Sequence, residues 1–337
     1  MRFALIGHTD HWAEYGPMLK EEKDVELVAV TVGAPEETLE RVAKAPGVSG
    51  KTKVYPTPEE MFREEKLDLV QVATRPDLIP KYVAMAVERG VAVMAEKPLA
   101  MDLETLYKLY GTVRAAGVPV AAMHAQRADG PLCAVKQAVA SGAIGTPLLC
   151  HSQKSYKWRG NRPDYFRTRA TFPGSAGYVG LHAIDWMYWI LGDIFEAVTA
   201  YGTQAVFADY PACESHSGYL FKLADNRAAT FTLDYLRPNE APTHGDARVR
   251  VVGTKGVVES VFNDGYATLI DEKGARQISG VSGLAWYTSF VRAVKGVGES
   301  FLSVAAAFRI TEIALKAQQA LDSGETVSLK DSPYAGH

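Results

Sequence analysis

Val91-Ala92-Val93-Met94-Ala95-Glu96-Lys97-Pro98-Leu99 is the stretch on which the reading of this chain turns. Five apolar residues run unbroken into a charged pair and a proline. Such a run suits a strand buried on both faces, as in a parallel sheet. The carboxyl ends of those strands are where open α/β sheets hold ligands. Lys97 therefore stands over a crevice and, once partly buried, can exchange a proton near neutral pH. Pro98 fixes the backbone just behind it. A solvated Glu-Lys pair after a strand accounts for the tripeptide equally well, so the flanking sequence has to decide.

On either side, strand-like runs alternate with helical patterns. Phe3–Ile6, Leu27–Val32, Leu69–Ala73 and Val118–Ala122 read as further strands. Between them lie a helical pattern over Glu36–Ala43, a capped start at Thr57-Pro58-Glu59-Glu60, Pro80–Glu88 closed by Gly90, and Asp102–Ala116 closed by Gly117. Strands separated by helices imply βαβ units, hence a doubly wound parallel sheet with nucleotide-binding character over 1–122. After about residue 122 the texture changes. Leu132–Ala140 and Gly177–Leu191 are helical in period, and Ala197–Tyr201, Ser217–Leu223, Ala228–Tyr235, Arg248–Val252 and Gly256–Val261 follow as strands with short turns. With a long helix over Val304–Leu321, this predicts an α+β domain over 123–337 built on a large, mainly antiparallel open sheet.

Composition narrows the function. The chain has 337 residues, enough for two cores, and a net charge of −3, which argues against nucleic acid or an anionic membrane as the main partner. No apolar run approaches the length of a membrane span, and Met1-Arg2-Phe3-Ala4-Leu5-Ile6-Gly7 enters a strand directly, without a signal peptide. Three scattered cysteines (Cys133, Cys150, Cys213) lack zinc spacing and suit a reducing cytoplasm. A small-molecule enzyme of the cytoplasm is the expectation.

The turn after the first strand, Gly7-His8-Thr9-Asp10-His11-Trp12, keeps only the first glycine of a dinucleotide fingerprint. Thr9 and Trp12 stand where the other two belong, so the helix is expected to begin later, near Pro17, leaving a longer loop whose amides and Thr9 could hold a phosphate. Asp10 would repel one. The second strand ends in Thr31-Val32-Gly33-Ala34, with neither the acidic residue of an NAD site nor the basic pair of an NADP site.

Gly180-Leu181-His182-Ala183-Ile184-Asp185 supplies the other candidate chemistry. On a regular helix Tyr178 and His182 share a face, and Asp185, three residues on, could orient the imidazole. A core histidine on an aromatic helix is the competing explanation. His124 and Arg127 follow the strand that ends the first domain. Tyr156-Lys157-Trp158-Arg159 mixes aromatic and cationic groups, as sugar and carboxylate sites do, and Arg127, Arg159 and Arg162 could hold an anionic group or face solvent.

Taken in order, these motifs make the chain resemble the Gfo/Idh/MocA family, oxidoreductases related to glucose–fructose oxidoreductase and inositol dehydrogenase. The resemblance runs nearly end to end. It rests on Thr74-Arg75-Pro76 after the fourth strand, Glu96-Lys97-Pro98, Ser141-Gly142-Ala143-Ile144-Gly145-Thr146-Pro147, the Gly180–Asp185 helix, Val252-Gly253-Thr254-Lys255-Gly256 and the closing helix. It implies a Rossmann domain, a second domain whose open sheet makes a homodimer or homotetramer, bound NAD or NADP, and a sugar, polyol or related substrate. Residue by residue, it implies a cofactor held by Gly7, Thr9, Asp10, His11, Trp12, Thr74, Arg75, Pro76, Glu96 and Lys97. Lys97, His124, Arg127, Tyr156, Trp158, Arg159 and Asp185 would contact substrate, and Lys97, His182 and Tyr178 would form the catalytic group, serving one substrate beside the nicotinamide. Many members have an aspartate where this chain has Tyr178 and a histidine near Ile79; this chain has neither. The same scaffold also serves enzymes that use NAD transiently in glycoside cleavage, and a non-catalytic sensor is the third reading.

Overall fold

The computed structural model describes residues 1–160, 162–279 and 285–334. Through residue 123 the elements are β1 Arg2–Ile6, α1 Gly16–Glu21, β2 Glu26–Thr31, α2 Leu39–Val42, β3 Lys53–Tyr55, α3 Pro58–Glu64, β4 Leu69–Val72, α4 Ile79–Val87, β5 Ala92–Ala95, α5 Leu103–Ala116 and β6 Val120–Ala122. Then follow α6 Gly130–Ala140, β7 Pro147–Tyr156, α7 Leu181–Leu191, β8 Phe195–Thr203, β9 His216–Leu223, β10 Ala228–Asp234, β11 Gly245–Gly253, β12 Gly256–Val261, β13 Ala267–Asp271 and β14 Gly274–Ile278. The chain closes with α8 Trp286–Val294, α9 Val304–Ser323 and β15 Val327–Ser328.

The described residues cluster into two units, the first being Met1–Met123 with Ala285–Phe308. Its sheet is a six-stranded parallel layer in the order β3-β2-β1-β4-β5-β6, the doubly wound arrangement. The central strands are buried on both faces, as β4 and β5 show along their whole length, while β3 at the edge exposes Lys53 and Val54. Local signals set the helix ends. The Thr57 hydroxyl accepts from the Glu60 amide with Pro58 at the first turn, and Asp102 accepts from the Thr105 amide at 2.8 Å while Gly117 closes α5 at φ 66°.

Ala285–Phe308, which the sequence reading leaves in the second domain, clusters with this first unit. The reason lies in α8, whose Tyr287, Phe290 and Val291 enter the core that holds Phe3, Tyr15 and Met18. Its polar side is fixed too: Thr288 donates to Glu21 and Arg292 to Glu22, both at 2.7 Å.

The second unit, residues 124–279 and 309–334, carries a nine-stranded sheet in the order β14-β13-β12-β11-β7-β10-β9-β8-β15. Every pairing is antiparallel except β7 with β10. Alternate residues point inward, for example Ala229, Phe231 and Leu233 of β10. Gly180, just ahead of α7, lets that segment lie on the sheet, because a Cβ there would come within 2.9 Å of the Phe231 ring. The outward face keeps Leu149, Tyr201 and Leu220 exposed. Cys133, Cys150 and Cys213 are buried free thiols, and desolvation pushes Cys150 and Cys213 up to about 12, which leaves both unreactive near neutral pH. Among the described residues no helix is long and apolar enough to cross a membrane.

Candidate active site

In the first unit the carboxyl ends of β1, β4 and β5 come together, because the strands are parallel neighbours. Gly7 leaves β1 at φ 85°, and a Cβ there would run into the Ala73 carbonyl, so glycine is required for this turn. The Thr9 amide donates to Ala73 at 2.8 Å, which ties the turn to the end of β4. Beside it, the Thr74 hydroxyl is buried with no hydrogen-bond partner among the described residues. A glycine turn and a spare buried hydroxyl at the strand ends fit a dinucleotide phosphate.

Trp12 does not fill a helix–sheet contact. As the sequence suggests, α1 begins late, at Gly16, and residues 8–15 form the longer loop. The Trp12 carbonyl accepts from Gln71 Nε2 at 2.7 Å, and its ring packs at the rim of the core with the Arg41 guanidinium 5.6 Å from its centre. Asp10 is exposed at φ 47°. Arg75 is held by Asp77 at 2.8 Å and Glu36 at 3.3 Å, and Pro76 is buried.

Glu96 organises the carboxyl end of β5. Its carboxylate accepts from the His11 amide at 3.0 Å and the Lys97 amide at 2.8 Å, and it meets the His11 imidazole through Nδ1. The Lys97 ammonium stands 4.0 Å from it, and Lys97 is only 3% exposed. The negative charge of Glu96 raises the pKa of His11 against the opposing effect of burial. Burial alone would raise Glu96, but His11 and then Lys97 outweigh it and hold the carboxyl below its usual range. The Lys97–Pro98 peptide is cis.

Glu37 is the residue that sequence reasoning missed. The helix expected over Glu36–Ala43 shrinks to α2, and Glu37 turns inward instead. Its carboxylate accepts from the Gly33 amide at 2.7 Å and the Thr9 hydroxyl at 2.9 Å, and it lies against Gly7. An acidic group thus stands beside the glycine turn after all, six residues past the end of β2. A count of residues from the strand end cannot find it, and nothing local separates it from its neighbour Glu36.

In the second unit His182 opens α7 and is 6% exposed. The turn before it, Ala176–Gly180, is a wider π-helical one, so regular four-residue spacing does not carry back to Tyr178. Tyr178 lies among Tyr165, Phe166 and Phe172, with its hydroxyl 2.9 Å from that of Tyr165. Asp185, expected to orient His182, is drawn to the segment after β6. It accepts from Arg127 at 2.6 and 3.0 Å and stands 3.4 Å from His124 Nδ1. All three are buried, and the Arg127 guanidinium also covers Trp189 at 5.5 Å. Burial would raise the Asp185 carboxyl, but Arg127 and then His124 pull it down to about 2. Tyr156 and Trp158 line the end of β7, Trp158 stacking on Phe207 at 3.8 Å, while Arg159 is exposed.

The comparisons with known proteins agree with this architecture. Residues 1–124 match the model of an oxidoreductase family with an NAD-binding Rossmann fold, and residues 133–259 match the Gfo/Idh/MocA carboxyl-terminal domain. A solved oxidoreductase structure from Thermotoga maritima is 34% identical, with a TM-score of 0.89 over 97% of this chain and 100% of that one. The myo-inositol 2-dehydrogenase of Thermotoga maritima is 25% identical over 82% of this chain and 80% of its own length. The 2,7-anhydro-N-acetylneuraminate hydratase of Mediterraneibacter gnavus is 26% identical over 79% and 69%. With both of its domains matched in order, this chain belongs to the Gfo/Idh/MocA family of oxidoreductases, and its first unit is that family's NAD-binding Rossmann domain.

Proposed function

We propose that this protein is a nicotinamide-dependent dehydrogenase or reductase acting on a hydroxyl or carbonyl carbon of a sugar or polyol. The observation that carries the reading is Lys97, nearly sealed from solvent yet charge-supported, at the end of a parallel strand beside the glycine turn. Gly7, Thr9 and Thr74 would hold the pyrophosphate, with Glu37 as hydrogen-bond acceptor for the adenosine ribose. The nicotinamide, when bound, accepts or returns the hydride. Lys97 would donate a hydrogen bond to the reacting oxygen, its backbone held by the Glu96 carboxylate, which accepts from the Lys97 amide. His182 would take the hydroxyl proton during oxidation and return it during reduction. Tyr178 is placed as a hydrogen-bond donor that supports this helix start, not as a base. Arg127, Asp185 and His124 are assigned to positioning: their mutual pairing fixes α7 and so fixes His182. Fixed geometry of this kind supplies much of the acceleration in hydride transfer.

A homo-oligomer formed through the outward face of the nine-stranded sheet is part of the same proposal, supported by the exposure of Leu149, Tyr201 and Leu220 there. Light scattering on the purified protein tests it, and a monomer at all concentrations refutes it.

The test of function is calorimetric titration with NAD and NADP, followed by turnover of a sugar and polyol panel read through nicotinamide absorbance. Saturable binding and turnover are expected, with Lys97→Ala cutting kcat at least a hundredfold, on the order typical of a lost proton-handling group, while cofactor affinity changes little. Wild-type activity in Lys97→Ala, no binding of either nucleotide, or substrate breakdown without net change in nicotinamide absorbance would each overturn the reading.

A further inference from the structure

We propose that the second unit contains a built anion site where β7 and β10 end, and that the sugar substrate is therefore an acidic one, a sugar carboxylate or a sugar phosphate. The proposal deepens the dehydrogenase reading and takes from it only that the ligand is a sugar. Because β7 and β10 are the parallel pair, their carboxyl ends share one edge of the sheet, and β11 starts at that same edge with Gly245 paired to Tyr156. The topology thus gathers Lys154 and Tyr156, the described residues Lys157, Trp158 and Arg162 that follow them, Tyr235, and His244.

That gathering is strongly cationic. Lys154 points to the covered face and is 1% exposed, unusual for a lysine in a strand. Its ammonium donates to the neutral Gln126 Oε1 at 3.1 Å and Tyr156 hydroxyl at 2.8 Å, with the Trp186 ring centre 4.8 Å away. The Arg162 guanidinium lies over Tyr235 at 5.1 Å and Trp158 at 5.3 Å. Its Nη2 donates to the Lys157 carbonyl at 3.1 Å, but its Nε is buried with no hydrogen-bond partner among the described residues. Among those residues neither Lys157, Arg159 nor Arg162 meets a carboxylate in an ion pair, whereas Arg237 and Arg248 nearby both reach Asp246, at 3.6 and 2.8 Å.

Two neutral groups complete the site. The Tyr235 hydroxyl is buried with no hydrogen-bond partner among the described residues, and desolvation holds its pKa high, so it is a donor. His244 stacks on Tyr156 at 5.0 Å, and its pKa is lowered first by burial and then by Arg159, Arg162, Lys157 and Lys154. Arg162 Nε and the Tyr235 hydroxyl are buried donors without an acceptor among the described residues, and an oxyanion receiving their hydrogens offsets the cost of burying them with charge-assisted bonds. The aromatic faces around it suit the C–H face of a sugar ring.

The experiment is a binding titration of the NAD-loaded protein followed by intrinsic tryptophan fluorescence, since Trp158 and Trp186 line the cluster. The probes are matched: D-glucose against D-glucuronate, D-galactose against D-galacturonate, and D-glucose against glucose 6-phosphate. At least one anionic probe should bind roughly ten- to a hundredfold tighter than its neutral partner, the range for a charge-assisted hydrogen bond. Which anion wins distinguishes a carboxylate ligand from a phosphate. Arg162→Gln should abolish the preference and Arg162→Lys should keep part of it, with melting temperature and NAD affinity showing that both variants are folded. Equal or weaker binding of every anionic probe, or a preference that survives Arg162→Gln, overturns the proposal. Nicotinamide absorbance is followed in the same titration, so turnover of any probe is seen apart from its binding, and NAD affinity is measured separately; failure of the anion preference and failure of the dehydrogenase reading are therefore distinguishable.

Discussion

Removing the Asp185 carboxylate should destabilise the second unit far more than removing the whole Arg127–Asp185 pair. Arg127 is 4% exposed and donates to Asp185 at 2.6 Å, so Asp185→Leu removes the carboxylate that faces a buried guanidinium. Breaking one side of such a pair costs about 3–5 kcal/mol, whereas replacing both partners with apolar groups of similar size is often near neutral. The ionisation gives a second, smaller figure. The carboxyl falls from 3.8 to about 2, and at about 1.4 kcal/mol per pKa unit its charged form contributes roughly 2 kcal/mol. The folded pKa is depressed, so this contribution is complete above the unfolded value near 3.8 and is lost as pH falls through about 2. The deletion exceeds the ionisation figure because it also takes the facing carboxylate from Arg127. Calorimetry is the suitable assay, since two units need not melt together. A loss of 3–5 kcal/mol corresponds to a drop of roughly 6 to 20 °C for a unit of this size. The cycle of Asp185→Leu, Arg127→Met and the double variant decides the matter. Double-variant stability close to wild type is expected; a loss equal to the sum of the two singles would refute the reasoning, as would a single Asp185→Leu cost below about 1 kcal/mol.

Gly7→Ala should cost about 3 kcal/mol of first-unit stability through its positive φ and the clash with Ala73, and nucleotide affinity should fall with it; unchanged calorimetric titration and melting would contradict the turn's role. Glu37→Ser should narrow the preference for NAD over NADP by at least tenfold, because a carboxylate beside the ribose repels a 2′-phosphate; Kd ratios from titration are the check, and an unchanged ratio counts against Glu37. His11 has a raised folded pKa, so its stabilisation is complete below the unfolded value near 6.5 and fades as pH rises through the higher folded value. The stability gap between wild type and His11→Asn should therefore shrink from mildly acidic to alkaline pH in urea titrations, and a gap that widens would be the wrong sign.

What the sequence revealed of the fold follows from where its patterns were simple. Five of the six parallel strands were legible because burial on both faces demands apolar runs, whereas β3, three residues with two of them exposed, shows no such run and was missed; α3 and α5 were legible because Thr57, Asp102 and Gly117 announce their ends. β7 was not, since its covered face reads Cys150, Ser152 and Lys154, with no apolar alternation to follow. β14 is exposed on most positions and has no pattern to show. α8 was missed because its apolar face answers a partner almost the whole chain away. Of the candidate site, the positions of Lys97 after β5 and of His182 at the start of α7 were legible, while their chemical roles are the proposal made above. The commitment of Asp185 to Arg127, the inward turn of Glu37 and the depth of Lys154 all depend on long-range contacts that no local window contains.

The single parallel pairing in an otherwise alternating sheet has a consequence for how such a protein changes over generations. It sends several loops to one rim, where side chains can be exchanged without disturbing a ladder hydrogen bond. If the anion site proposed at that rim selects the ligand, a lineage can redraw its choice of molecule by a few substitutions there while the nucleotide-binding unit, a separate stretch of chain, is inherited intact.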